Sequence, residues 1–172
     1  FTLEKINKSG GKFDPKKLVW LNAQHIQQLD IQTLSEICLL KNKDIDNKRM
    51  EDFISLIQPR MDSIIGLKNR FLYLFKRPEV NTVLIQKTES PETLNAINEF
   101  TETLASEKLI DAEKTKNILY SCAEKHGAKF GKVMGFCRAC IVGKMEGPDV
   151  IQMMFFIGLE ETLIRLKESL NC

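Results

Sequence analysis

The chain has 172 residues, 43% hydrophobic and 28% charged, with a formal net charge of +2. That balance excludes a disordered chain, and no apolar run approaches the roughly 20 residues that a membrane-spanning helix needs. The near-neutral total hides an asymmetry: residues 1–77 hold 14 basic and 9 acidic side chains, residues 78–172 hold 11 basic and 14 acidic, which points to two units.

The polar, lysine-rich start from Phe1 to Lys17 is unlike a signal peptide, so a cytoplasmic location is expected. A start at Phe1 instead of methionine reads as a piece of something longer. Asp14-Pro15 forms an N-cap with proline in the first helical turn. Leu18, Leu21 and Ile26 then make an apolar stripe with Trp20 beside it. A short helix is expected over Thr33–Leu40, then a polar loop over Lys41–Lys48. Met50, Phe53, Ile54 and Ile57 recur at helical spacing. Pro59 interrupts them, because it lacks an amide proton and crowds the preceding turn. Met61, Ile64 and Ile65 begin a new face, which Leu67, Phe71, Leu74 and Phe75 continue beyond Gly66. Lys76-Arg77-Pro78 closes the first unit, and residues 76–82 read as a linker.

In the second unit Ser90-Pro91-Glu92 starts a helix with Leu94, Ile97, Thr101 and Leu104 on one side. Asp111 caps a helix to Lys125, with Gly127 as a left-handed stop. Phe130–Val142 is helical and closed by Gly143. Gly147-Pro148-Asp149 is a turn that restarts a helix to Ile157. Gly158 separates it from a last helix carrying Leu159, Leu163, Leu166 and Leu170. Asn81–Gln86 alternates like a strand but is too short to seed a sheet. The expected class is all-α in two helical subdomains.

Between Lys125 and Lys144 the chain carries Lys125, Lys129, Lys132, Arg138 and Lys144 and no acid. Such a local excess suggests a surface facing a polyanion; solvation of helix faces is the plainer reading for any one lysine. The five cysteines, Cys38, Cys122, Cys137, Cys140 and Cys172, are odd in number and unevenly spaced, as in reduced intracellular proteins. Cys122, His126, Cys137 and Cys140 would suit tetrahedral zinc by type. They lack a compact loop between paired ligands, so no metal is expected. Neither a nucleophile elbow nor a phosphate-binding loop is present, and nothing assembles a catalytic site. The arginines are few: Arg49, Arg60, Arg70, Arg77, Arg138 and Arg165. Arg60 follows the proline break, where a side chain projects from a helix end. Periodicity puts Arg138 partly in an apolar stripe, which favours packing and a carboxylate partner.

Three separated motifs add to this. They are Phe13-Asp14-Pro15-Lys16-Lys17-Leu18-Val19-Trp20-Leu21-Asn22 with His25-Ile26; Leu56-Ile57-Gln58-Pro59-Arg60-Met61; and Gly131, Arg138, Gly143, Gly147-Pro148, Gly158 and Arg165-Leu166 in that order. Together they make the chain resemble the C-terminal, anticodon-binding part of bacterial-type glutamyl-tRNA synthetase. The resemblance implies the end of a stem-contact region over residues 1–12, one helical anticodon-binding subdomain over 13–77 and a second over 78–172. It implies binding of the glutamate tRNA, with no DNA and no membrane, and gives no indication of oligomerisation. The catalytic signatures of these class I ligases are absent here. ATP and Mg2+ would therefore belong to a catalytic domain upstream, with no cofactor in this part and no aminoacylation by it alone.

By the same resemblance Arg60 matches the arginine that reads the third anticodon base, and Arg138 a second arginine of the anticodon site. Members with glutamine at the Arg60 position often charge glutamine tRNA as well. Gly147 and Val150 match positions that touch the first anticodon base, Gly147 through its backbone. Lys129, Lys132 and Lys144 are assigned to phosphate attraction on charge alone. Trp20 and Asn22 belong to the motif as RNA contacts or as packing. Glutamate and glutamine anticodons differ at the third base, C against G. A guanidinium donates to cytosine O2 and N3 but meets donors at guanine N1 and N2. RNA is read mainly on such unstacked bases. The rival reading is a helical adaptor whose apolar groove is lined by Met134, Met145, Met153 and Met154.

Overall fold

A computed structural model of the chain describes residues 14–38, 47–65, 71–106 and 111–170. Among these all regular structure is helical: α1 (Pro15–Gln28), α2 (Ile31–Cys38), α3 (Asn47–Ile57), α4 (Thr82–Thr88), α5 (Pro91–Ser106), α6 (Ala112–Lys125), α7 (Phe130–Val142), α8 (Val150–Ile157) and α9 (Leu159–Leu170). Residues 1–12, 41–46 and 66–70 lie outside the description, and with them the stem-contact end, most of the expected polar loop and the continuation past Gly66.

The caps follow the sequence closely. Asp14 accepts from the Lys16 amide and Asp111 from the Lys114 amide. Asp30 accepts from both the amide and the hydroxyl of Thr33, so α2 starts two residues earlier than expected. Gly127, at φ +67°, ends α6: its amide donates to Glu124 O, and the Ala128 amide reaches back to Ala123 O. This is the paired bonding of a Schellman motif.

Two expectations are corrected, and one alternating stretch is assigned. The alternation over Asn81–Gln86 belongs to a helix, because the Asn81 side chain caps the Leu84 amide and opens α4. Past Pro59 the described residues 61–65 are not helical; Met61 is extended, and the next regular piece among the described residues is a 3-10 turn at Leu72–Leu74. On α1 only Ile26 is buried, while Leu18, Leu21 and Trp20, the last 60% exposed, face away from the described core.

The core is one continuous cluster with α7 at its centre. Val133, Phe136, Cys137, Ala139, Cys140, Ile141 and Val142 are all buried, so this helix is covered on nearly every side; it packs on α4, α5, α6, α8 and α9. An aromatic group joins the chain before Pro78 to the chain after it. Phe53 stacks edge-on with Phe75 at 5.0 Å, and Phe75 with Phe156 at 5.6 Å. Such pairs hold about 0.5–1.5 kcal/mol beyond their buried area.

Candidate nucleic-acid interface

Arg60 ends a short 3-10 turn, Gln58–Arg60, that follows α3 directly. The proline stops the α-helical ladder, and four side-chain bonds fix what comes next. Gln58 Nε2 donates to Ile26 O at 3.1 Å and to Leu29 O at 2.8 Å, tying the turn to the C-terminal end of α1, where Ile26 O also accepts from the Leu29 amide. Gln27 Nε2 donates to Pro59 O, and Asn22 Nδ2 donates to Asp62 O at 2.6 Å. Met61, 1% exposed, anchors the far side in the core. The backbone at Arg60 is thus held by α1 on two sides, while the side chain is exposed and makes no hydrogen bond or ion pair among the described residues. Sequence reasoning missed this clamp, although its members Asn22 and Gln58 sit inside the first two motifs.

Arg138 stands on the central helix and is half-buried. It meets a carbonyl, not the carboxylate that periodicity favours: Nη1 donates to Pro148 O at 2.9 Å. Gly147 lies between this guanidinium and Tyr73. Its φ is +140°, and a Cβ there would stand 3.0 Å from Tyr73 Oη and 3.6 Å from Arg138 Nη1. Only glycine fits both the backbone and the space. Asp149 closes the turn by accepting from the Ile151 and Gln152 amides. Val150 is fully buried. Its side chain roots the turn in the core, so the expected contact with a base would have to come from its backbone.

The lysine run does not form one patch. Lys129 and Lys132 lie at the start of α7 and Lys144 just past its end, and a helix of 13 residues is about 20 Å long. Lys125 is taken up by Glu99, at 2.7 Å from Oε1, and His126 Nε2 lies 2.7 Å from Oε2 of the same carboxylate. Lys125 and then His126 hold Glu99 below its ordinary pKa. A run contiguous in sequence is broken in space because the middle of α7 is core. Arg138, Gly147 and Lys144 are brought to one end; Lys129 and Lys132 remain at the other.

Two further arginines are structural. Arg165, 3% exposed, donates from Nη1 to Tyr73 O and Ile141 O and from Nε to Glu161 Oε1. Arg77 grips Glu161 and Glu168. Arg77 and then Arg165 pull the Glu161 carboxyl down to about 2, and Glu161 in turn raises the Arg77 guanidinium. Cys122, Cys137 and Cys140 are buried; burial pushes the Cys137 thiol well up. No group of three His, Cys, Asp or Glu side chains among the described residues is arranged to hold a metal ion. Met153 and Met154 are core, which removes half the lining of the methionine groove.

Comparison with known proteins agrees with this arrangement. Residues 21–170 match the profile of the family described as "Anticodon binding domain". The chain is 29% identical to a glutamate–tRNA ligase of Azobacteroides pseudotrichonymphae over 99% of its own length and 36% of the relative's. It is 31% identical to that of Cytophaga hutchinsonii, covering 99% of the chain and 34% of the relative. A crystal structure of a glutamate tRNA ligase from Elizabethkingia meningosepticum superposes with a TM-score of 0.85 at 30% identity, over 99% of this chain and 35% of that one. The chain therefore spans about a third of the length of the curated relatives it matches.

Proposed function

The chain belongs to the anticodon-binding-domain family, and on that premise we propose that it reads the anticodon of the glutamate tRNA for a glutamate–tRNA ligase. Acyl transfer, with ATP and Mg2+, falls to the remainder of such an enzyme. Within this reading Arg60 is the base-reading residue, and Arg138 acts mainly by holding the Gly147-Pro148 turn against the RNA loop.

The observation that carries the proposal is the state of Arg60. Its main chain is clamped by Asn22, Gln27 and Gln58, yet its guanidinium is exposed and unpartnered among the described residues. A fork of donors held this way can pair with cytosine O2 and N3, and meets guanine donor to donor. A good side-chain–base pair of this kind discriminates by about 1–3 kcal/mol. No partner among the described residues would have to be displaced first.

Arg60→Gln tests it. The preference of the chain for glutamate over glutamine anticodon stem-loops should fall by about 5- to 150-fold, the factor that corresponds to that energy. Equal preference in the wild type and the variant would remove Arg60 from the reading. The adaptor reading gains nothing from the structure, since Met153 and Met154 are buried.

A further inference from the structure

A cleft of about 350 Å3 opens between the segment before α4 and the end of α7; Leu72, Lys76, Arg77, Pro78, Glu79 and Lys144 are among its lining residues. It sits beside the Gly147 turn but includes neither arginine assigned to base reading. We propose that this cleft takes one nucleotide of the bound RNA, its phosphate between Lys76 and Lys144 and its sugar and base against Leu72 and Pro78. The proposal rests on the RNA-binding reading above and extends it to Lys76, which the motif resemblance does not reach.

Three observations carry it. The first is charge that is not spent internally. Arg77 is committed to Glu161 and Glu168. Lys76 and Lys144 are exposed and make no ion pair among the described residues. Among the described lining residues Glu79 is the one acid, so the cleft keeps a positive balance. The second is rigidity. Asn81 Nδ2 donates to Gly143 O at 3.3 Å. Gly143, at φ +67°, brings the end of α7 so close that a Cβ would lie 3.4 Å from Pro78. The two walls therefore keep their separation before any ligand arrives. The third is a partly apolar lining: Leu72 is 40% exposed inside a cationic rim. That combination suits a nucleotide, with cations at the mouth for its phosphate and apolar side chains beneath for its sugar and base. The volume falls in the range of small-ligand sites.

The test measures binding of a glutamate tRNA anticodon stem-loop across a salt series, by fluorescence anisotropy. Each neutralised phosphate contact on single-stranded RNA contributes about 0.7 to the slope of log affinity against log salt. Lys76→Gln and Lys144→Gln should each lower the slope by about that amount and weaken binding several-fold at low salt. The double variant should lose both contributions. Glu79→Gln should tighten binding. The glutamate-to-glutamine anticodon ratio should stay unchanged in all of them, unlike in Arg60→Gln. Lys116→Gln, at an exposed position of α6 that does not line the cleft, should leave slope and affinity as they are. Thermal melting, unchanged by these surface substitutions, shows that each variant is folded. Wild-type slope and affinity in the double variant would overturn the cleft while leaving the anticodon reading intact. Absence of stem-loop binding by the wild-type chain would overturn both.

Discussion

Replacing Arg165 by methionine tests whether the junction around Tyr73, α7 and α9 depends on one buried cation. Arg165 Nη1 lies 2.8 Å from Tyr73 O and 2.6 Å from Ile141 O, and Nε lies 2.8 Å from Glu161 Oε1. Methionine keeps much of the stem's packing and donates nothing. Two interior carbonyls then lose a donor, at about 1–3 kcal/mol each. Glu161 keeps Arg77 at 2.8 Å, so its share is smaller. The expected loss is about 3–5 kcal/mol, the usual scale for removing one side of a buried charged network. At about 2–4 °C per kcal/mol for a chain of this size, Tm falls by roughly 6–20 °C. Thermal melting followed by circular dichroism and urea unfolding both measure it. Arg165→Lys, which keeps the charge but not the fork, should recover less than half. A loss below about 1 kcal/mol for Arg165→Met would show that the carbonyls are satisfied without this side chain and would refute the reasoning.

Glu161→Gln addresses the same network by pH. The folded Glu161 carboxyl, at about 2, lies below its ordinary 4.5 because of Arg77 and then Arg165. Its stabilisation is complete above pH 4.5 and is lost as pH falls toward 2. Wild-type stability should therefore drop more steeply across that window than that of Glu161→Gln; parallel curves would contradict the assignment. Gly147→Ala should cost about 1–3 kcal/mol from its backbone conformation alone. It should cost more through the approach of a Cβ to 3.0 Å from Tyr73 Oη. Gly158→Ala, at φ +88° with open space around its Cβ, is the control that bears only the backbone cost. Identical melting losses for the two would show that the packing around Gly147 is loose.

What was legible in the sequence was local. Asp14, Asp111, Gly127 and Gly143 marked helix ends through their own chemistry, and the structure uses them so. Less legible was anything set by distant contacts. Asn81 and the residues after it alternate like a strand, but a side-chain cap and burial of Ile85 make them helical. The basic run was visible as composition, yet its division between two ends of α7 depends on that helix being the core. Val150 resembled a contact by position, and only packing shows it to be internal. Periodicity alone favours packing against a carboxylate for Arg138, and only the resemblance makes it a reader; the bond to Pro148 O gives it a part in positioning the turn.

The arginines differ less in type than in what already holds them. Arg77 and Arg60 both follow the aromatic and aliphatic residues of the first half, and both are exposed at some point of their side chains. Arg77 grips two carboxylates, with Nη1 2.6 Å from Glu168 and Nη2 2.8 Å from Glu161. Recruiting it to RNA means breaking those bonds, and the network that fixes α9 with them. Arg60 gives up only side-chain entropy, up to about 2 kcal/mol for a long charged chain. Its turn is ordered in advance by Asn22, Gln27 and Gln58. On the proposed reading, specificity therefore falls to the cation whose backbone is fixed and whose head is unspent. On the same proposal, exposed lysines such as Lys76 and Lys144 contribute attraction that every RNA sequence shares. It follows that Asn22→Ala, which touches no base, should erode anticodon preference through the placement of Arg60 while leaving the salt slope of binding unchanged. A loss of slope with preference intact would instead place Asn22 on the backbone of the RNA.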